Sequence, residues 1–187
     1  MNKKIKRCDW VGGDTIYKEY HDTEWGIPVY GSELLFQHLL LDGAQAGLSW
    51  ILILKKRENY RKFFYQFDPV KMAKMTDKQL NELLLNPAIV RNRLKVYGFR
   101  KNAIAYLKLN KEQSFSDFLW DFVDGKPLTN RWKNMSEVPT HTDQSLAMSK
   151  ALKKAGFTFV GTTICYAFMQ AVGMINDHTT DCFRFNK

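Results

Sequence analysis

Apolar positions recur at helical spacing along most of the chain, and no convincing alternation of period two appears. Leu35, Phe36, Leu39 and Leu40 share one face behind Ser32, which is placed to cap their helix. Asp42-Gly43-Ala44-Gln45-Ala46-Gly47 interrupts that run. A second helix is expected from Leu48 through Trp50, Ile51, Leu54, Tyr60 and Phe64. Asp68-Pro69 reads as a capped helix start, and Thr76-x-x-Gln79 as a capping box ahead of Leu80, Leu83 and Leu84. Asn86-Pro87 breaks that helix. A longer basic one follows from Ile89 to Leu109, and another starts at Ser114 or Ser116 and stops at Gly125. Residues 126–142 form the loosest connection, and Thr142 caps the helix beyond it. The expected class is all-α, a single domain over 1–187. A helical subdomain of roughly 68–125 is expected to pack against a subdomain built from both chain ends.

The last of these helices carries Leu146, Leu152 and the lysines Lys150, Lys153 and Lys154, and Gly156 stops it. Gly161 then admits a helix with Ile164, Phe168, Ala171 and Val172 on its apolar side. Two helices joined by a short turn with glycine at each end make a helix-hairpin-helix candidate. The N–H groups of Gly161, Thr162 and Thr163 would form a phosphate site, with the lysines just before it. The plain alternative is two core helices.

Composition narrows the picture. Aromatic content is 14% (Phe 13, Tyr 8, Trp 5) in a chain that is 45% hydrophobic, which indicates a globular protein with many rings to place. No apolar run reaches the roughly 20 residues of a spanning helix, and the basic lead Met1–Arg7 has no apolar core behind it. A soluble, cytoplasmic protein without membrane contact is expected. Net charge of +9 favours a polyanionic partner. The three cysteines, Cys8, Cys165 and Cys182, are too few and odd in number for a disulfide framework. Cys165 reads as core, while His38 and His141 read as surface or helix-face residues.

Two sets of residues carry chemistry. Cys8 and His21 near the start match His178 and Cys182 near the end, a Cys₂His₂ set of the kind zinc takes. The long gap between the pairs leaves open two buried thiols and two ordinary histidines. The second set is Asp42-Gly-Ala-Gln-Ala-Gly-Leu-Ser-Trp50, which places a carboxylate, a carboxamide and a ring where two helices meet. With Trp10, Tyr17, Tyr20 and Trp25 it makes an aromatic-walled pocket with one acid, suited to a flat cationic ring. Each ring taken singly could equally fill core.

Together the blocks resemble the 3-methyladenine DNA glycosylase I family. The resemblance rests on Cys-x-Trp at 8–10, Tyr-x-x-Tyr-His-Asp-x-Glu-Trp-Gly at 17–26 and Gln-Ala-Gly-Leu-Ser-Trp at 45–50. It continues in Leu-Lys-Lys-Arg-Glu-Asn-Tyr at 54–60, Gly-Phe-x-Phe-Val-Gly-Thr-Thr-Ile-Cys-Tyr at 156–166 and Asn-Asp-His-x-x-x-Cys at 176–182. It implies a helix-hairpin-helix DNA glycosylase fold whose termini are joined by a structural zinc at Cys8, His21, His178 and Cys182. It also implies a pocket in which Tyr20 and Trp50 stack on the excised base and Trp10, Tyr17 and Trp25 line the walls. Gly47 and Leu48 would press into double-stranded alkylated DNA, while Lys153, Lys154 and the Gly161-Thr162-Thr163 N–H groups hold its backbone. The implied activity is excision of 3-methyladenine by a monomeric enzyme of base excision repair. One departure stands out: the family's pocket acid is typically glutamate, and this chain has Asp42. A zinc-stapled module that senses damage without excising it, and a zinc hydrolase with an open metal position, are the rival readings.

Overall fold

The computed structural model describes residues 5–186, and the opening of the basic lead, Lys3-Lys4, lies outside them. The described residues are mostly helical. In order they form α1 (Thr15–Thr23), α2 (Ser32–Gln45), α3 (Trp50–Phe63), α4 (Pro69–Ala73), α5 (Asp77–Leu84) and α6 (Arg93–Leu109). There follow α7 (Phe115–Trp120), α8 (Asp143–Lys154) and α9 (Thr162–Ala171). Two strands of two residues each, β1 (Leu128–Thr129) and β2 (Ile175–Asn176), pair in parallel and correct the expectation of no strand. The pairing ties the long 126–142 connection to the carboxyl end. No helix among the described residues is long and apolar enough to cross a membrane.

The local cap signals form as their chemistry dictates. Asp68 accepts from the Val70 and Lys71 N–H groups ahead of Pro69, and Thr76 with Gln79 makes the reciprocal capping box. Thr142 and Ser145 do the same for α8, and Ser114 caps α7. A cap contributes about 1 kcal/mol, whereas burying one phenylalanine contributes about 2 kcal/mol. Packing therefore decides which helices exist, and the caps decide where they begin.

Four boundaries differ from the sequence reading. Ser32 does not cap α2: Gly31 holds that position, and the Ser32 hydroxyl instead accepts from the Ser116 N–H at 3.1 Å. α2 is not interrupted at Asp42-Gly43 but runs on to Gln45, and α3 starts at Trp50 rather than Leu48. α6 starts at Arg93, where the Asn92 side chain accepts from the Lys95 N–H. Gly43 and Gly98 are present because Phe159 lies between α2 and α6. A Cβ at Gly43 would sit 3.1 Å from the Phe159 Cβ, and one at Gly98 3.2 Å from its ring.

Two cores result. The larger gathers Phe36, Tyr60, Phe64, Phe99, Phe115 and Phe168 with Leu35, Leu39, Leu40 and Leu41 of α2 and Leu152 of α8. The smaller joins the two chain ends through Cys8, Val11, Tyr20, Trp25, Leu54, Ala171 and Cys182, and Trp50 packs against both. α8 and α9 pack on each other around the 155–161 turn, where Gly156 (φ +98°) and Phe159 (φ +59°) take the left-handed region. Cys165 is core, as expected.

The turn is held from α6. Asn102, 3% exposed, donates to the Thr158 carbonyl at 3.0 Å and accepts from the Thr158 N–H at 2.7 Å and hydroxyl at 3.1 Å. Removing the amide leaves both backbone groups unpaired. Asn102→Ala is expected to lower stability by about 2–3 kcal/mol, measured by urea unfolding. A loss within error would mean that water replaces the amide and the turn does not depend on it.

Candidate functional site

The aromatic segment and α2 meet in a cavity of about 280 Å³ lined by Trp10, Tyr17, Tyr20, Trp25, Asp42, Gln45, Trp50, Met135, Ala167 and Gln170. All five expected rings and the expected acid are therefore brought together. Met135, Ala167 and Gln170 were not singled out from the sequence. Gln170 did leave a trace, as the polar residue in the otherwise apolar run Phe168-Met169-Gln170-Ala171-Val172. Met135 left none, because it arrives by way of the long connection.

The rings are mutually braced. Trp10 meets Tyr17 edge-on at 5.4 Å and Trp25 edge-on at 5.1 Å, while Tyr20 tilts against Trp50 at 5.5 Å. Tyr17 also accepts from the Ile51 N–H at 3.1 Å, so its hydroxyl serves the free start of α3. Such edge contacts hold ring faces at fixed angles, which a flat ligand needs from its walls.

Asp42 lies in the last turn of α2, 4% exposed, with Oδ2 buried and without a hydrogen-bond partner. Burial pushes its carboxyl well above the usual carboxylate range. The carbonyl end of the helix adds nothing to favour a charge there. The Trp50 indole N–H is likewise buried and unpartnered. Burial first, and the Asp42 charge second, push the Tyr20 hydroxyl well up. The cavity thus holds unmet polar groups, and a ligand that satisfies them recovers their desolvation cost.

Gly47 (φ +74°) and Leu48 lie in the loop between Gln45 and Trp50, both of which line the cavity. The loop is pinned from inside. Gln45 Nε2 donates to the Leu48 carbonyl at 2.6 Å, and buried Lys95 Nζ donates to the carbonyls of Ala44 (2.7 Å) and Ala46 (2.6 Å). A cation on the last carbonyls of a helix offsets its dipole. Phe159 against Gly43 brings the 155–161 turn to this same end of α2. Lys153 and Lys154 are exposed and without an ion partner among the described residues, and no side chain caps the N–H groups of Gly161, Thr162 and Thr163.

The cysteines and histidines from the two ends also converge. The ligand atoms of Cys8, His21, His178 and Cys182 lie within 4.8 Å of one another, all buried, and could hold a metal ion. Cys182 Sγ is 3.5 Å from both His21 Nε2 and His178 Nδ1, and Cys8 Sγ is 3.6 Å from His178 Nδ1. The outward nitrogens are engaged: His21 Nδ1 with Asp22 at 2.9 Å and His178 Nε2 with the Trp25 carbonyl at 3.2 Å. Those contacts leave the inward nitrogens as lone-pair donors. Arg7 in turn grips Asp22 at 2.6 Å. His38, read as a surface or helix-face residue, lies on α2 but is buried beside Glu24, Arg57 and Arg61, and burial holds its pKa down to about 4.

This fold and site define an all-α protein with a ring-walled pocket and one buried acid. The family described as methyladenine glycosylase matches residues 10–185. A DNA-3-methyladenine glycosylase of Haemophilus influenzae is 52% identical over 177 residues, 94% of this chain and 96% of that protein. A crystal structure of 3-methyladenine DNA glycosylase I superposes with a TM-score of 0.95 at 52% identity, covering 96% of this chain and 99% of that one. A tyrosine-to-phenylalanine variant of 3-methyladenine DNA glycosylase I, solved in complex with 3-methyladenine, gives 0.93 at 39% identity over 97% and 98% of the two chains. The chain belongs to the methyladenine glycosylase family, the enzymes named 3-methyladenine DNA glycosylase I.

A carboxyl whose pKa is raised on folding stabilises least where it must ionise. Stability is fully present below the usual carboxylate range, where the folded and unfolded forms are both protonated, and is lost as pH rises through the folded-state pKa. Asp42→Asn is accordingly expected to raise the melting temperature of the ligand-free protein near neutral pH, by the order of 5 °C. The gain should vanish below about pH 4, where parent and variant are both neutral. A gain that does not depend on pH would show that Asp42 is not the group responsible.

Proposed function

We propose that the protein excises 3-methyladenine from alkylated double-stranded DNA by hydrolysis, leaving an abasic site. The observation that carries this reading is the buried, unpartnered Asp42 carboxyl in a ring-walled cavity of base size. Alkylation at N3 gives adenine a positive charge and makes it a good leaving group, so little acid catalysis is required. What the protein must supply is access and selectivity. Access means taking the nucleotide out of the duplex, with Gly47 and Leu48 at the gap and the base in the cavity. Lys153, Lys154 and the free N–H groups at the start of α9 would hold backbone phosphate without sequence preference, the role of a helix-hairpin-helix unit.

Selectivity follows from charge. Stacking of Tyr20 and Trp50 on a cationic ring and ionisation of Asp42 beside it reinforce each other. Neutral adenine offers Asp42 no compensation for burying a carboxylate, and the cation does. After the base departs, water takes the sugar carbon. No lysine lines the cavity, so no Schiff base and no strand cleavage are expected.

The Cys8, His21, His178 and Cys182 set fits zinc. Two thiol and two imidazole ligands make the closed tetrahedral donor set of structural sites, and four protein ligands leave no position for a reacting water. Bound there, zinc would fasten the two chain ends that wall the cavity. This argues against the zinc hydrolase reading.

Single-turnover excision on a defined methylated duplex tests the proposal, with DNA affinity recorded across salt. Asp42→Asn is expected to slow excision about 30-fold or more, the worth of a charge-assisted contact, whereas Asp42→Glu stays near the parent. Exchanging Lys153 and Lys154 for glutamine should weaken affinity and flatten its salt dependence. A parent that binds alkylated DNA without releasing base would favour the damage-sensing module instead. For the metal, Cys182→Ala should lower zinc content and melting temperature together, activity following the folded fraction. A fully folded, zinc-poor and inactive variant would make the metal catalytic.

A further inference from the structure

Asp177 accepts more side-chain hydrogen bonds than its place in a turn requires. It is 1% exposed. Oδ1 accepts from Asn130 Nδ2 and Trp132 Nε1, both at 2.7 Å, and Oδ2 from the Tyr166 hydroxyl at 2.6 Å and Gln170 Nε2 at 2.7 Å. Of these four donors, Gln170 lines the base cavity.

The chemistry of that contact fixes which way the Gln170 amide faces. A carboxylate only accepts, so the NH₂ end must meet Asp177; the opposite orientation would set two oxygens against each other. Gln170 Oε1 has no hydrogen-bond partner among the described residues and is left for the cavity. Gln45 repeats the arrangement, its Nε2 committed to the Leu48 carbonyl at 2.6 Å and its Oε1 unpartnered. With Asp42, the carboxyl and both carboxamides of the cavity offer acceptors. Its donors include the Trp50 indole and the tyrosine hydroxyls.

We propose that Asp177 is a positioning residue that acts through Gln170, holding a carbonyl oxygen toward the base so that the cavity takes the amino-bearing edge of an alkylated adenine and refuses the oxygen-bearing edge of an alkylated guanine. This rests on the function proposed above and names what selects among its substrates. An N–H of a cationic base is a strengthened donor to such an oxygen. A guanine oxygen in its place would leave two desolvated acceptors opposed, the kind of mismatch by which binding sites discriminate most strongly.

The experiment compares single-turnover release of 3-methyladenine and 3-methylguanine from one methylated duplex. Gln170→Met keeps the volume and removes the oxygen. It is expected to slow 3-methyladenine release about tenfold and leave 3-methylguanine release within about twofold. Asp177→Asn should lower the ratio in the same direction, because asparagine lets the glutamine amide turn over. Combining it with Gln170→Met should lower the ratio no further. The swapped pair Gln170→Glu with Asp177→Asn reverses donor and acceptor, keeps an oxygen toward the cavity and should recover the ratio, which a merely structural role would not do. It also retains the hydrogen bond if Asp177→Asn alone does not fold. An equal loss for both bases, an unchanged ratio, or a swapped pair that folds without recovery would overturn the proposal. A parent that releases neither base would instead sink the proposed function itself.

Discussion

The packing of the two chain ends against each other is the constraint on which the site depends. Trp10, Tyr17, Tyr20 and Trp25 come from the first of these ends, Ala167 and Gln170 from the helix that leads into the second. Neither group could form a concave wall alone, since each supplies only part of the lining. Three links hold them together. Arg7 grips Asp22, which orients His21 toward Cys182. The Gly26 N–H donates to the Gln170 carbonyl and the Val29 N–H to that of Val172. Gly173 lets the chains approach so closely that a Cβ would lie 2.4 Å from the backbone between Ile27 and Pro28. A larger residue at Gly173 would force the ends apart, and the cavity wall with them.

Against that rigid frame, the cavity itself stores cost. Asp42 and the Trp50 indole are both buried with unmet polar atoms, in a domain whose other interior groups are mostly paired. The aromatic packing around them supplies the stabilisation that offsets this, since each buried ring contributes about 2 kcal/mol. The arrangement is a stability–activity compromise of the usual kind: the group least comfortable in the empty protein has most to gain from a cationic ligand.

What the sequence discloses of this depends on how local each cause is. Asp68 before Pro69, Thr76 with Gln79, Thr142 and Gly156 act on neighbours a few residues away, and the structure bears each of them out. Gly43 is different. It reads as a break, yet its reason is the Phe159 side chain more than a hundred positions on, so the helix continues through it. Ser32 looks like the cap of α2, but Gly31 holds that position and the Ser32 hydroxyl serves the start of α7 instead. His38 shares the α2 stripe with polar neighbours and gives no sign that Glu24, Arg57 and Arg61 close over it. The ring-bearing wall of the site was visible because it rests on the recurring blocks of a family. Met135 was not, because it arrives on the long connection that the β1–β2 pairing ties down, and Gln170 showed only as a polar residue in an apolar run of α9.

Asp42 is where these threads meet. A glutamate, the family's usual acid, would bring its carboxyl one methylene further into the cavity; the Asp42 carboxyl stays nearer the carbonyl end of α2. Two effects oppose each other. Greater depth raises the cost of the charge and so sharpens the dependence of ionisation on a cation nearby. Shorter reach weakens direct contact, although attraction between charges falls only as the inverse of distance, and a bridging water restores hydrogen bonding across a small gap. Charge recognition therefore survives the shorter arm better than directional contact does. The directional part would then pass to groups that already reach the cavity, namely the carbonyl oxygens of Gln45 and Gln170. Each of those amides is turned by a committed NH₂ group, so the shorter acid shifts shape recognition onto side chains whose orientation the fold has already fixed.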